Sequence, residues 1–250
     1  MDFKFVVDRK DDNKFNMYLM NSLKRIGVQA VQVADDPEKA PSVMSKYSLG
    51  TDALVKQNLV TDDDIVVFSK EDINIVDNEF KAKVEYLFET KDDIGIVGVI
   101  GTEKISKDGW WLDKENVPVG HIIKGLSSGN GQGEPYEVGP IGYYDDIVAV
   151  DSNFFLVRAS LLKEISFDKE TLSMDNDLCA MDLCIQALQN GYRIAVADIL
   201  IYQESTNHLS TSKGYEESQK IFNEKYKDLE FPITINSFTF DRPETVEVEI

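Results

Sequence analysis

Through the first hundred residues, short apolar runs alternate with longer segments of helical period. Phe3 to Val7 is strand-like in composition, and Asn13 to Ile26 follows as a helix that gathers Phe15, Leu19 and Leu23 on one face. Gly27 closes that helix, because glycine enters the left-handed conformation of a helix end without a Cβ clash. A second strand is expected from Val28 to Val33, then a polar turn at Asp35-Asp36-Pro37 and a helix between Ser42 and Leu59. Ile65 to Phe68 and Ile94 to Ile100 are uninterrupted apolar runs of the kind buried in a sheet, with a helix from Asp77 to Thr90 between them. Strand starts at 3, 28, 65 and 94 are 25 to 37 residues apart, which suits right-handed βαβ units. The expected N-terminal half is a doubly wound α/β layer on a parallel sheet.

After Gly101 the rhythm breaks. Residues 101–145 hold Trp110, Trp111, a Gly/Ser-rich piece from Gly125 to Gly133 and a tyrosine pair, with little helical period. A stretch this long and irregular is more often a lid or binding loop than a connector. Regular pattern resumes with strands at Ile147 to Val150 and Phe154 to Val157, a helix from Asp177 to Asn190, a strand from Tyr192 to Ala197 and an amphipathic helix from Gly214 to Tyr226. A β-leaning tail ends in Val246-Glu-Val-Glu-Ile250.

Composition narrows the class. With 42% hydrophobic and 10% aromatic residues, the 250-residue chain has the material for a packed core, and 26 Lys plus Arg against 45 Asp plus Glu leave a net charge of −19. Such a surface argues against general affinity for nucleic acid or an anionic membrane. An anionic substrate then needs a local basic patch or a bound cation. The longest apolar run, Ile94 to Gly101, falls far short of the roughly 20 residues that span a bilayer. Met1-Asp2-Phe3-Lys4 lacks the basic-then-apolar order of a secretory leader, so a cytoplasmic chain beginning at Met1 is expected. Cys179 and Cys184 fall on different helix faces and read as reduced core thiols. His121 and His208 are the only histidines, which excludes a zinc-finger pattern.

In an open α/β sheet, ligands bind beyond the carboxyl ends of the strands, and three such ends carry acids: Asp8, Asp35-Asp36 and Glu71-Asp72. A carboxylate pair such as Glu71/Asp72 has the oxygen ligands that a hard divalent cation prefers, and such a cation bridges diphosphates. A dehydrogenase fingerprint is excluded, since the first strand is followed by Asp8-Arg9-Lys10-Asp11-Asp12 where that fold needs glycines. Gly129-Asn-Gly-Gln-Gly133 has neither the strand before it nor the helix after it that a nucleotide loop requires. Trp110-Trp111 suits a sugar-stacking platform or an aromatic anchor between lobes.

Asp64-Ile-Val-Val-Phe-Ser-Lys-Glu-Asp72 resembles the strand and metal-binding turn of GT-A fold glycosyltransferases, in particular the family 2-like bacterial and phage group. Asp35-Asp36 sits where that family has its nucleoside-contacting acid. Ile94 to Gly101 with Gly109-Trp-Trp111 is similar to its next strand and tryptophan loop. Val150 to Arg158 and Ile165 to Asp168 are similar to its acceptor-lining segment, and Asp182 to Tyr192 to the helix after its catalytic acid. The likeness spans residues 3 to about 208.

The resemblance implies a GT-A (nucleotide-diphospho-sugar transferase) fold over residues 1–228, with a nucleotide-binding half to residue 100, an acceptor half from 101 and a tail from 229. It implies an inverting transfer from a nucleoside diphosphate sugar, with a UDP-sugar as the leading donor. The acceptor would be a glycan or other hydroxyl, or a modified nucleobase, against which the negative charge weighs. Asp8, Asp35, Asp36, Lys70 and Glu71 would meet the donor, and Trp110, Trp111 and Asp151 the acceptor. Asp72 would ligate Mn2+ or Mg2+ with Glu204 or Gln203 and His208, and Asp182 or Asp177 would be the general base. Asp182 is expected on a flank of its helix, beside an apolar face of Met181, Cys184, Ile185 and Leu188. Two departures stand out: Lys70 opens the metal turn, and Ala180 holds the place where the base is often found. They motivate a second reading, a catalytically inactive nucleotide- or glycan-binding module. The acidic surface and alternating tail motivate a third, a partner-binding protein.

Overall fold

Apolar runs without polar interruption need cover on both faces, and a central sheet provides it. The computed structural model describes residues 1–28, 43–107, 117–125, 136–138, 141–167, 176–204 and 213–240. The chain begins with β1 (Phe3–Asp8), then α1 (Asp12–Phe15), a π-helical turn (Asn16–Met20) and α2 (Asn21–Ile26), which run on as one rod. Gly27 ends the rod at φ +73°, the left-handed cap expected from its sequence. There follow α3 (Val43–Lys56), β2 (Ile65–Lys70), β3 (Ile73–Ile75), α4 (Phe80–Thr90), β4 (Ile94–Gly98) and β5 (Ile100–Thr102). The middle of the chain is built of short strands, β6 (Lys104–Ile105), β7 (Val119–Gly120), β8 (Ile122–Lys124), β9 (Tyr136–Val138), β10 (Tyr144–Ile147), β11 (Ala149–Val150) and β12 (Phe154–Arg158). Last come α5 (Asn176–Gln189), β13 (Arg193–Val196), β14 (Ile201–Gln203), α6 (Lys213–Lys225) and β15 (Ile233–Thr234).

The fold is α/β. Among the described residues the central sheet runs β1-β2-β12-β4-β13-β10. β1, β2, β4 and β13 point one way, and β12 and β10 point the other. Periodicity anticipated β12 as a strand but not its place: it comes from the second half of the chain, runs antiparallel and separates β2 from β4. Its Phe155 lies opposite Phe68, and the two rings stack at 4.9 Å, with Tyr47 from α3 closing on Phe68 at 5.0 Å. These three side chains are fully buried, so they form a layer that knits the two halves together.

The expected single strand from Ile94 to Ile100 is two. At Gly98 the backbone passes so close to Val150 that a Cβ would lie 2.5 Å from its Cγ1, and the chain leaves the central sheet there. β5 then pairs with β11 and β7 in a second, smaller sheet. A third sheet, β3-β14-β8-β9, stands beside the carboxyl end of β2. At the opposite end, Arg158 donates to Phe88 O at 3.0 Å, Lys91 O at 3.2 Å and Ile94 O at 3.2 Å, satisfying carbonyls where α4 stops. None of the described helices is long and apolar enough to cross a membrane.

Candidate functional site

β1 and β2 are parallel and in register, with Asp8 opposite Lys70, so the loops after both strands rise from one edge of the sheet. Asp8 is buried, and its charge is answered from within the protein: Lys46 Nζ of α3 lies 2.9 Å from Oδ1 and Lys10 Nζ 3.4 Å from Oδ2. The Glu71 N–H donates to Asp8 O at 3.2 Å, while Glu71 Oε2 accepts from the backbone N–H groups of Lys10 and, at 2.7 Å, Asp11. Glu71 therefore ties the first loop to the second. Asp11 in turn caps α1, accepting from the Asn13 and Lys14 N–H groups, which fixes the helix start that carries Lys14.

The remaining walls come from the third sheet and from the start of β12. Asp72 is buried in the turn between β2 and β3, and its carbonyl accepts from the Glu204 N–H at 3.1 Å. Gln203 pairs with Ile73 on one side and with Lys124 on the other, bringing Lys124 in from a distant part of the chain. Asn153 accepts the Lys70 N–H at 3.0 Å through its carbonyl. Together these segments enclose a cleft of about 250 Å³. Asp8, Glu71 and Asp72 line it, against Lys10, Lys14, Lys70 and Lys124, with Asn153 and Gln203 as neutral groups. The lining carries three acids and four ammonium groups, a net +1 on a chain of net −19. Gln203 Oε1 and Asn153 Oδ1 are buried and accept no hydrogen bond from the described residues, so two amide oxygens stand ready for donors from a ligand.

Beside the cleft, Tyr202 donates its hydroxyl to Glu204 Oε2, and Tyr18, carried on the π turn, has its ring 6.2 Å from that of Tyr202. Burial raises both hydroxyls above their ordinary pKa, and the Glu204 carboxylate adds to it. Gly125 leaves room here for the Tyr202 hydroxyl, which a Cβ at that position would displace. Below the cleft, burial lifts Tyr47 well above its ordinary pKa, with the charges of Asp8, Asp151 and Asp72 pushing the same way. Asp151 itself accepts the Asn153 N–H at 2.6 Å through Oδ1, an acid that shapes the turn leading to the cleft.

Of the residues singled out by sequence, Asp8, Lys70, Glu71 and Asp72 share the cleft, with Glu204 at its side and Asp151 behind it. Asp182 does not join them. It is fully buried between α5 and α6, where Oδ1 accepts from Tyr226 at 2.7 Å and pairs with Lys225 at 2.7 Å, and Oδ2 accepts from Gln186 at 2.7 Å. The flank that looked open to a cleft is covered by α6. Asp35, Asp36, Trp110, Trp111, His208, the glycine run and the tail at 246–250 lie outside the described residues, as does the side chain of Asp177. Lys10, Lys14, Lys124, Asn153 and Tyr18 were missed. Lys10 and Lys14 had a signal, two cations four residues apart just past a strand end, whereas Lys124 had none before the third sheet was known.

Asp72 and Gln203 Oε1 are oxygen donors of the type a hard cation takes. Yet among the described residues no three His, Cys, Asp or Glu converge as a metal-holding group, and four ammonium groups share the cleft. The described donor set therefore does not by itself fit a divalent cation.

The sequence matches the glycosyltransferase-like family over residues 13–226. Among solved structures, the A197 protein of the virus STIV is similar with a TM-score of 0.50 at 13% identity, over 82% of this chain and 87% of that one. An inositol-1-phosphate CTP transferase of T. maritima aligns over 90% of this chain and 97% of its own at 12% identity, with a TM-score of 0.37. The first likeness is one of fold. No curated protein matches the chain by sequence.

Proposed function

The chain belongs to the glycosyltransferase-like family, and from that premise we propose that it moves a sugar from a nucleoside diphosphate sugar to an acceptor hydroxyl. The observation that carries this reading is the cationic cleft at the carboxyl ends of β1 and β2, on a protein whose surface is otherwise strongly anionic. That is where an α/β sheet receives its ligand, and the sign of the charge suits a diphosphate. The unpaired amide oxygens of Gln203 and Asn153 accept hydrogen bonds from sugar hydroxyls, groups that discriminate well because leaving them unpaired is costly. Asp35 and Asp36 are proposed to read the nucleoside, and Trp110 and Trp111 to serve the acceptor side, whereas Asp151 is buried behind the cleft and shapes the turn to Asn153.

In a single, inverting displacement the acceptor oxygen bonds to the anomeric carbon as the bond from that carbon to the diphosphate breaks. The electron pair stays on the departing phosphate oxygen, and the acceptor proton passes to a carboxylate. Asp182 is sealed by Tyr226, Lys225 and Gln186, so the base proposed here is Asp177, at the start of the same helix. General-base assistance contributes roughly 10²–10⁴-fold.

The test is to incubate the protein with a panel of nucleotide sugars, with and without candidate glycan acceptors, and to measure released nucleoside diphosphate. Release that quickens with an acceptor supports transfer. Saturable binding with no release under any condition supports the second reading, an inactive module, which the burial of Asp182 and the alanine at position 180 favour. Absence of both binding and release rejects the proposal.

A further inference from the structure

Building on the glycosyltransferase reading, we infer that the cleft carries the donor's diphosphate on lysine ammonium groups, with no divalent cation, and that Lys10, Lys14, Lys70 and Lys124 are the groups that do so. Three observations converge. The four lysines arrive from separate parts of the chain: two from the loop and helix start after β1, one from the end of β2 and one from the end of β8. Strand pairing, not sequence proximity, brings them together, with Lys70 level with Asp8 and Lys124 level with Gln203.

Two of the three acids in the same lining are held by groups of the protein. Asp8 is paired with Lys46 at 2.9 Å and with Lys10, itself in the lining, at 3.4 Å, and Glu71 Oε2 is occupied by the N–H groups of residues 10 and 11. The cations consequently set the sign of the cleft toward a ligand. Lys70 also stands at the end of β2, two residues before Asp72 in the same lining, where its charge repels a cation.

An ammonium group is a compact charge with three donors, well suited to phosphate oxygens that do not require the planar fork of arginine. During transfer, as the carbon–oxygen bond to the leaving group breaks, charge develops on the bridging phosphate oxygen. Ammonium groups already in place meet that charge without reorganisation, the role otherwise filled by a metal ion. Asp72, buried on the floor, then limits how deeply the anion sits.

The test uses the full chain with inorganic pyrophosphate as the probe, by calorimetric titration in EDTA and again with Mn2+. Pyrophosphate should bind in EDTA, with an affinity that falls as salt rises and that Mn2+ does not increase. Lys14→Ala and Lys70→Ala should each weaken binding by about tenfold or more, with Lys70→Arg restoring most of it. Asp72→Asn should tighten binding in EDTA, because it removes a negative charge from the lining. Unchanged thermal unfolding of each variant separates loss of the site from loss of the fold. Binding seen only with Mn2+, or EDTA binding indifferent to the lysine variants, overturns the inference. The two proposals fail separately: sugar transfer that occurs only with Mn2+ keeps the enzyme reading and rejects cation-free carriage. Pyrophosphate bound in EDTA by a protein that neither binds nor cleaves any nucleotide sugar keeps the anion site and rejects the enzyme reading.

Discussion

Two buried acids, Asp182 and Asp72, occupy environments that look alike by exposure and differ in what surrounds them. Around Asp182 the donors are the protein's own: a tyrosine hydroxyl, a lysine and a glutamine amide, all at 2.7 Å, close the carboxylate between α5 and α6. Asp72 shares its surroundings with a cleft whose lysines come from three chain segments and whose amide oxygens at Gln203 and Asn153 meet no hydrogen-bond donor among the described residues. The first arrangement is complete without a ligand. The second is incomplete, and incompleteness in a buried polar site is what distinguishes a place for chemistry from a place for structure.

The largest effect is expected where the site is complete. Asp182→Ala strips the partner from Lys225, whose side chain is only 15% exposed, and from the buried Tyr226 hydroxyl. Losing one side of a buried pair should cost about 3–5 kcal/mol in urea unfolding. Turnover per folded molecule should stay within about twofold of the parent; a hundredfold loss at unchanged donor binding would return Asp182 to the role of base.

Glu71 is the next case, an acid in the cleft lining that is engaged as a structural tie. Glu71→Gln weakens two charge-assisted hydrogen bonds from the N–H groups of Lys10 and Asp11, and about 1–2 kcal/mol of stability should go with them. A variant as stable as the parent would mean that the first loop is held by Asp8 and Lys46 alone.

At the far end of the same sheet, Asp64 offers a pH test of a satisfied acid. Burial pushes its carboxyl up, but N–H groups of Thr61 and Asp2, the Thr61 side chain and Lys4 outweigh that and hold it below the ordinary 3.8. A depressed carboxyl stabilises the fold above its unfolded value and loses that contribution as pH falls through the folded one. Urea unfolding should therefore show Asp64→Asn to be less stable than the parent at neutral pH, with the gap shrinking once the pH drops below 3.8. A gap that persists in acid would assign the effect to shape and not to charge.

The smallest expected effect is no reaction at all. Cys179 and Cys184 are buried on α5, and burial pushes the Cys184 thiol up to about 12, with Asp182 adding to it. Both should resist a thiol-disulfide reagent in the folded protein near neutral pH and react on unfolding. Rapid labelling of the native state would show the α5–α6 region to open, which would blur its contrast with the cleft.

What could be read from the residues in order was whatever depends on local pattern. Apolar runs at 3–7, 65–68 and 94–100, a helical stripe of Phe15, Leu19 and Leu23, and a glycine cap at Gly27 report burial period and backbone freedom, and the elements formed where those patterns are. The same reading put Asp8, Lys70, Glu71 and Asp72 at strand ends, because strand ends are visible where an apolar run stops. It could not see that β12 enters between β2 and β4, nor that β14 and β8 carry Gln203 and Lys124 to the same cleft. Those are pairings between residues scores of positions apart, chosen by which edges and faces remain to be covered once local elements exist. Asp182 shows the limit most plainly: its helix and its polar flank follow from the sequence, but whether a flank faces solvent, substrate or another helix depends on where α6 packs, and only the tertiary structure decides that.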